Sequence, residues 1–172
     1  STEEKALPVG HYRIEETQAP TGYLKDGAKT LEFEITKDGE MVDLTSKDTS
    51  IANQVIRGGV KVQKRDLETG ETKPQGNATL ESATLTITNL STHPVLVNEK
   101  LYESGQVVLT LKTDKSGVAV TAKDALPYGH YRIDETEAPD GYLNEGKLSQ
   151  EFDIQENGKI VDLTSKEHAI LN

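Results

Sequence analysis

Cysteine and tryptophan are both absent from this chain, and only two Phe and six Tyr supply its aromatic rings. Without Cys there are no disulfides, no thiol nucleophile and no Cys-ligated zinc. Positive charge is also scarce: 19 Lys and Arg stand against 29 Asp and Glu, a formal net charge of −10 over 172 residues. Nucleic acid, whose phosphates demand a Lys/Arg footprint, is therefore disfavoured as a partner. An anionic membrane surface is disfavoured on the same ground. No apolar run nears the roughly 18–20 residues of a membrane span, and no leader-like segment opens the sequence. Leu, Ile, Val and Phe make up about 23% of the residues, close to the roughly 20% below which charged chains stay disordered. Any core is lean, and a fold built on it gains from a further tether.

What the sequence does contain is a repeat. Ala6-Leu7-Pro8-Val9-Gly10-His11-Tyr12-Arg13-Ile14 returns as Ala125-Leu126-Pro127-Tyr128-Gly129-His130-Tyr131-Arg132-Ile133, and Val42-Asp43-Leu44-Thr45-Ser46-Lys47 returns as Val161-Asp162-Leu163-Thr164-Ser165-Lys166. Residues 1–53 align without a gap on 120–172, so the repeating unit has the size of a domain rather than of a solenoid turn. The expected organisation is the C-terminal half of one module at 1–53, a linker at 54–58 and a complete module at 59–172. The chain reads as a stretch of a longer tandem array.

Short alternating segments recur: Val60–Lys64, Ala83–Thr88, Val107–Lys112, Tyr131–Glu135 and Glu151–Ile154. Turn signals separate them, among them Glu68-Thr69-Gly70, Lys115-Ser116-Gly117 and Pro139-Asp140-Gly141. No stretch of ten residues carries a helical period. The fold class expected is all-β, an antiparallel sandwich.

Side chains alternate between faces along a strand, and three polar residues land on apolar faces. Lys64 follows Val60 and Val62, Glu135 follows Tyr131 and Ile133, and Asn172 follows Ile170, whereas Lys61, Gln63, Arg132 and Asp134 point to water. A lone buried charge costs several kcal/mol or gives up its charge. If the three converge, a desolvated Lys offers a neutral amine, and a protonated Glu hydrogen-bonds the Asn carbonyl and relays a proton. The amide is attacked, ammonia leaves and the two side chains are joined. Strand ends that fray and turn these groups to solvent are the plainer alternative.

Lys64-Arg65-Asp66 after a Val-x-Val strand, Glu135-Thr136-Glu137-Ala138-Pro139-Asp140-Gly141-Tyr142, and a last strand ending in Asn172 together resemble the B-type repeats of Gram-positive collagen adhesins and SpaA-like pilins. The resemblance implies a transthyretin-like (prealbumin-like) variant of the immunoglobulin sandwich, carried on cell-wall surface proteins. It implies a self-generated isopeptide bond between Lys64 and Asn172, assisted by Glu135 and requiring no cofactor. It also makes the first and last strands neighbours, so that the bond closes almost the whole module. The expected role is a stalk module, extracellular and held to the wall through a sorting signal of its parent. Its partners would be neighbouring modules, and its only catalysis the single turnover that makes the bond.

Glu16 and Asn53 hold the matching positions in the first module, without a Lys-bearing strand before them; Lys5 lies in a segment matching Val120–Asp124 and is not promoted. Asn172 ends the sequence, so its strand is expected to lack a following pairing. The apolar faces of residues 1–53 (Tyr12, Ile14, Phe33, Ile35) want a second sheet. They stay partly exposed, pair with a copy in another molecule, or compete with 120–172 for the 60–119 half. The last is disfavoured because Asn53 and Lys64 are too close in sequence for parallel neighbours.

The alternative function is a ligand-binding adhesin domain recognising a host or glycan receptor through Asn89–Tyr102, with His93 and Tyr102 exposed; the same stretch reads more simply as a hairpin and its loop. A hydrolase or metal site has little support, since the four His lack metal spacing and no Gly-x-Ser-x-Gly occurs. Two Asn-x-Ser/Thr sequons, at Asn77 and Asn89, carry little weight.

Overall fold

The computed structural model describes residues 6–25 and 30–172, so Lys5 lies outside the described residues. The chain divides into two compact units, Ser1–Val55 and Ile56–Asn172. Every regular element among the described residues is a strand.

The first unit holds β1 (Gly10–Ile14), β2 (Tyr23–Leu24), β3 (Leu31–Ile35) and β4 (Gln54–Val55). β1 pairs antiparallel with β3, placing Tyr12 opposite Phe33, and β2 pairs antiparallel with β4. The Tyr12 and Phe33 rings stack at 5.5 Å, yet both remain half-buried and Ile14 is exposed.

The second unit runs through β5 (Arg57–Arg65), β6 (Thr84–Asn89), β7 (Val95–Val97), β8 (Lys100–Tyr102), β9 (Val107–Lys112), β10 (Val118–Val120), β11 (Leu126–Pro127), β12 (Gly129–Glu137), β13 (Ser149–Ile154), β14 (Ile160–Leu163) and β15 (Ile170–Leu171). One sheet is built on β5, which β10 and β11 join antiparallel. β14 and β15 join β5 parallel, an arrangement that long crossovers permit. The other sheet is antiparallel, in the order β13-β12-β6-β9. Val60 and Val62 of β5, Leu85 and Ile87 of β6, Tyr131 and Ile133 of β12, Phe152 and Ile154 of β13, with Leu163 and Ile170, form one buried cluster. Two sheets over one core make the sandwich that the alternation pointed to.

Residues 54–58, expected as a linker, span the division between the two units. Gln54 and Val55 form β4, while Arg57 and Gly58 begin β5 opposite Pro127 and Leu126. The Gly58-Gly59 pair permits close approach. A Cβ at Gly59 would lie 2.4 Å from the Ala122 carbonyl oxygen, and one at Gly58 2.9 Å from that of Lys159.

Gln63 also departs from its expected place, being buried. The Ser116–Gly117 turn folds over it, and its Nε2 donates to the carbonyls of Lys64 and Ser116 at 2.8 Å each. Strand parity says which way a side chain points, but not whether a loop returns over it.

Candidate functional site

Each of the three inward polar residues follows buried apolar neighbours on its own strand. On β5, Val60 and Val62 are fully buried and so is Lys64. On β12, Tyr131 and Ile133 are fully buried and Glu135 is 5% exposed. Ile170 of β15 precedes Asn172, which is 7% exposed.

Backbone bonds fix the strand ends that bear these groups. The Lys64 amide donates to the Gly117 carbonyl at 2.7 Å, and the Glu135 amide to the Leu148 carbonyl at 2.8 Å. β15 runs parallel to β5 with Ile170 opposite Lys64. The Asn172 amide donates to the Arg65 carbonyl at 3.2 Å, and its carbonyl accepts from the Leu67 amide at 2.5 Å. Both backbone groups of the last residue are thus tied to the end of β5 and the residues after it. A β-bulge interrupts the β12–β6 pairing immediately after Glu135, between Glu135 opposite Leu85 and Glu137 opposite Thr84. Bulges re-aim side chains where pairing stops.

The side chains meet at the carboxylate. Lys64 Nζ contacts Glu135 Oε2, with both side chains wholly excluded from solvent. Glu135 Oε1 accepts a hydrogen bond from Asn172 Nδ2 at 2.6 Å, and Nδ2 also donates to the Leu143 carbonyl at 2.9 Å. Asn172 Oδ1 is buried without a hydrogen-bond partner among the described residues. The carboxylate therefore touches the amide nitrogen, where the sequence reading had it bonding the amide oxygen. The Leu143 carbonyl accounts for the difference, because it can only accept and so draws the NH2 to its side.

Burial pushes the Lys64 amine below the ordinary lysine range, against the opposing pull of the Glu135 carboxylate. A lysine that gives up its proton more readily is a better nucleophile. Its neighbour is the side-chain amide of Asn172, reached through the same carboxylate.

Asp66 and Tyr142, which have no assigned role in the sequence motifs, brace this end of the sandwich. Asp66, 1% exposed, accepts from the Thr69 amide at 2.8 Å, from Gln75 Nε2 at 3.0 Å and from the Tyr142 hydroxyl at 2.8 Å. Hydrogen bonds led by the Thr69 amide hold its carboxyl down at about 2. The Tyr142 hydroxyl is pushed up, by burial first and then by the Asp66 carboxylate. Asp66 and Tyr142 close the two motifs that carry Lys64 and Glu135, and that shared position was the available signal for their pairing.

In the first unit, Asn53 Nδ2 donates to Glu16 Oε2 at 2.7 Å. The pair repeats the Asn172–Glu135 contact. The candidate binding stretch Asn89–Tyr102 forms the β7–β8 hairpin, with Val95 and Val97 buried. Tyr102, expected to be exposed, is half-buried against the core, and Asn89 Nδ2 holds its carbonyl at 3.2 Å. His93 is exposed. Among the described residues no His, Asp and Glu gather in a group able to hold a metal ion.

Comparison with known proteins agrees with this architecture. Among solved structures, the Bacillus anthracis TIE protein is 32% identical over 92% of this chain, with a TM-score of 0.57. A streptococcal ancillary pilin is 24% identical over 92% of the chain, with a TM-score of 0.43. The chain spans 25% of the first protein and 42% of the second. No curated protein matches its sequence. The model of the SpaA prealbumin-like fold domain matches residues 2–50 and 58–168, and the chain belongs to that family.

Proposed function

We propose that this chain is a load-bearing stalk segment of a Gram-positive cell-surface adhesin or pilin, whose complete module is locked by an amide formed between Lys64 and Asn172. Membership of the SpaA family supports the surface role. One observation carries the lock: a single buried carboxylate, Glu135, contacts both the Lys64 amine and the Asn172 amide nitrogen.

That arrangement suits a proton relay. The neutral Lys64 Nζ attacks Asn172 Cγ, and an Nζ–Cγ bond forms. Glu135 takes a proton from the attacking nitrogen and returns one to Nδ2, the Cγ–Nδ2 bond breaks, and ammonia leaves. No oxidant or external base is consumed, and Glu135 ends as it began. The product is an amide, inert to thiols, in a chain that has no Cys for disulfides. Because β5 and β15 are parallel neighbours, tension applied to the two ends of the module passes through the bond, and the sheets between Lys64 and Asn172 bear none of it.

Single-molecule pulling tests this role. The expected trace shows no extension from the stretch between residues 64 and 172, whereas Lys64→Ala releases that length. Full extension of the unsubstituted module at forces that unfold ordinary sandwiches would refute the stalk reading.

A further inference from the structure

The connection from β12 to β13, residues 138–148, carries no strand, yet three of its backbone carbonyls reach the site. The Leu148 carbonyl accepts from the Glu135 amide at 2.8 Å, and the Lys147 carbonyl from the Leu171 amide at 3.0 Å. The Leu143 carbonyl accepts from Asn172 Nδ2 at 2.9 Å, the nitrogen that departs as ammonia in the reaction proposed above. Lys147 and Leu148 immediately precede β13 and are steadied by it. Leu143 sits at the middle of the connection, and its own side chain, 71% exposed, does not anchor it. Irregular surface segments of this kind are ordinarily the mobile part of a sandwich.

The anchor is the neighbouring residue. The Tyr142 hydroxyl donates to Asp66 Oδ2 at 2.8 Å. Asp66 is itself fixed: Oδ1 accepts from the Thr69 amide at 2.8 Å, and Gln75 Nε2 donates to Oδ1 at 3.1 Å and to Oδ2 at 3.0 Å. The Tyr142 amide closes a turn on the Pro139 carbonyl at 3.1 Å, and the Asp140 carbonyl accepts from the Thr79 amide at 3.0 Å. Asp66 stands two residues beyond Lys64, just past the end of β5. One short stretch of chain therefore bears both the attacking amine and the anchor of the carbonyl that aims the amide.

We propose that Tyr142 and Asp66 are positioning residues for the cross-link: their hydrogen bond holds the Leu143 carbonyl at Asn172 Nδ2 and so keeps the leaving nitrogen on the Glu135 side. The proposal rests on the cross-link reading above. Both residues act through Leu143, and their effect is on alignment. Displacing reacting groups by about 1 Å costs up to about a hundredfold in rate, so loss of this one remote bond should cost at least about tenfold.

Two measurements on the full chain test this. In Lys64→Met, which cannot link, NMR follows solvent exchange of the Asn172 side-chain amide protons. Adding Tyr142→Phe, which removes a single hydroxyl, speeds that exchange at least about tenfold and leaves the backbone amides of Glu135 and Leu171 protected as before. A bond that only stabilised the fold would move all of them together, and either that result or unchanged side-chain exchange overturns the proposal. With Lys64 in place, chains isolated unfolded are refolded by dilution, and intact mass follows the loss of ammonia while circular dichroism follows folding. Tyr142→Phe slows the loss at least about tenfold after folding is complete. Asp66→Ala also slows it, and the two together slow it no further than Asp66→Ala alone, because both break the same bond. Equal rates in the unsubstituted chain and Tyr142→Phe overturn the positioning role and leave the cross-link reading standing. An unsubstituted chain that loses no ammonia overturns the cross-link reading, and this proposal with it.

Discussion

At the scale of single residues, the site turns on a lysine placed where lysines seldom sit. Lys64 has no solvent exposure, and its amine is pushed down chiefly by burial. In an Asn172→Ala chain, which cannot form the bond, this has a pH consequence. The folded state releases the Lys64 proton at a lower pH than the unfolded state, whose lysine keeps its ordinary value of 10.5. Between those two values the unfolded state binds more protons, so stability rises with pH. Denaturant titrations of Asn172→Ala should show that rise, and adding Lys64→Met should flatten it. Asp66 gives the opposite window. Its carboxyl is held at about 2 against an ordinary 3.8, so its contribution is present above the ordinary value and fades as pH falls toward 2. Acid unfolding followed by circular dichroism should lose that step in Asp66→Asn. Parity made the inward aim of Lys64, Glu135 and Asn172 legible in sequence. The oxygen–nitrogen choice at Asn172 was not legible, because it is decided by the Leu143 carbonyl, 29 residues away.

Among the strands, β5 organises the complete module. It pairs with β10, β11, β14 and β15, and its glycines are where neighbouring backbone comes closest. Gly59→Ala would drive a methyl to 2.4 Å from the Ala122 carbonyl oxygen and 2.7 Å from Thr121 Oγ1. The expected loss is about 1–3 kcal/mol, the usual cost of overpacking, read as a lower denaturation midpoint. Alternation located β5, β6, β9, β12 and β13, and β6, β12 and β13 bury apolar residues at every second position as it requires. The β7–β8 hairpin lies where Asn89–Tyr102 reads as a hairpin and its loop, although its turn uses Asn98 and Glu99 at φ 48° and 64°, without the glycine that usually marks such a turn. Two features escaped alternation for physical reasons. The bulge at Thr136 falls where the apolar alternation has already ended. The strand character of residues 54–58 comes from distant partners, Tyr23–Leu24 and Leu126–Pro127, and not from local composition.

For the molecule as a whole, the repeat was the most informative signal in the sequence, and the matched registers of β1–β3 and β12–β13 are its structural counterpart. The proposed link from Lys64 to Asn172 would close a loop of roughly a hundred residues, for which the chain-entropy model gives about 4–5 kcal/mol. That is comparable to the entire stability of a small domain, and it suits a core this lean. Asn172→Ala should therefore lower the unfolding free energy of the second unit by about that amount in guanidinium titrations. The most direct measurement is the intact mass of the unsubstituted chain. The account predicts a deficit of one ammonia, not two, because among the described residues Asn53 is bonded to Glu16 and no lysine is paired with either, and Glu135→Ala should restore the full mass. A wild-type mass equal to that of the bare sequence would contradict the bond between Lys64 and Asn172.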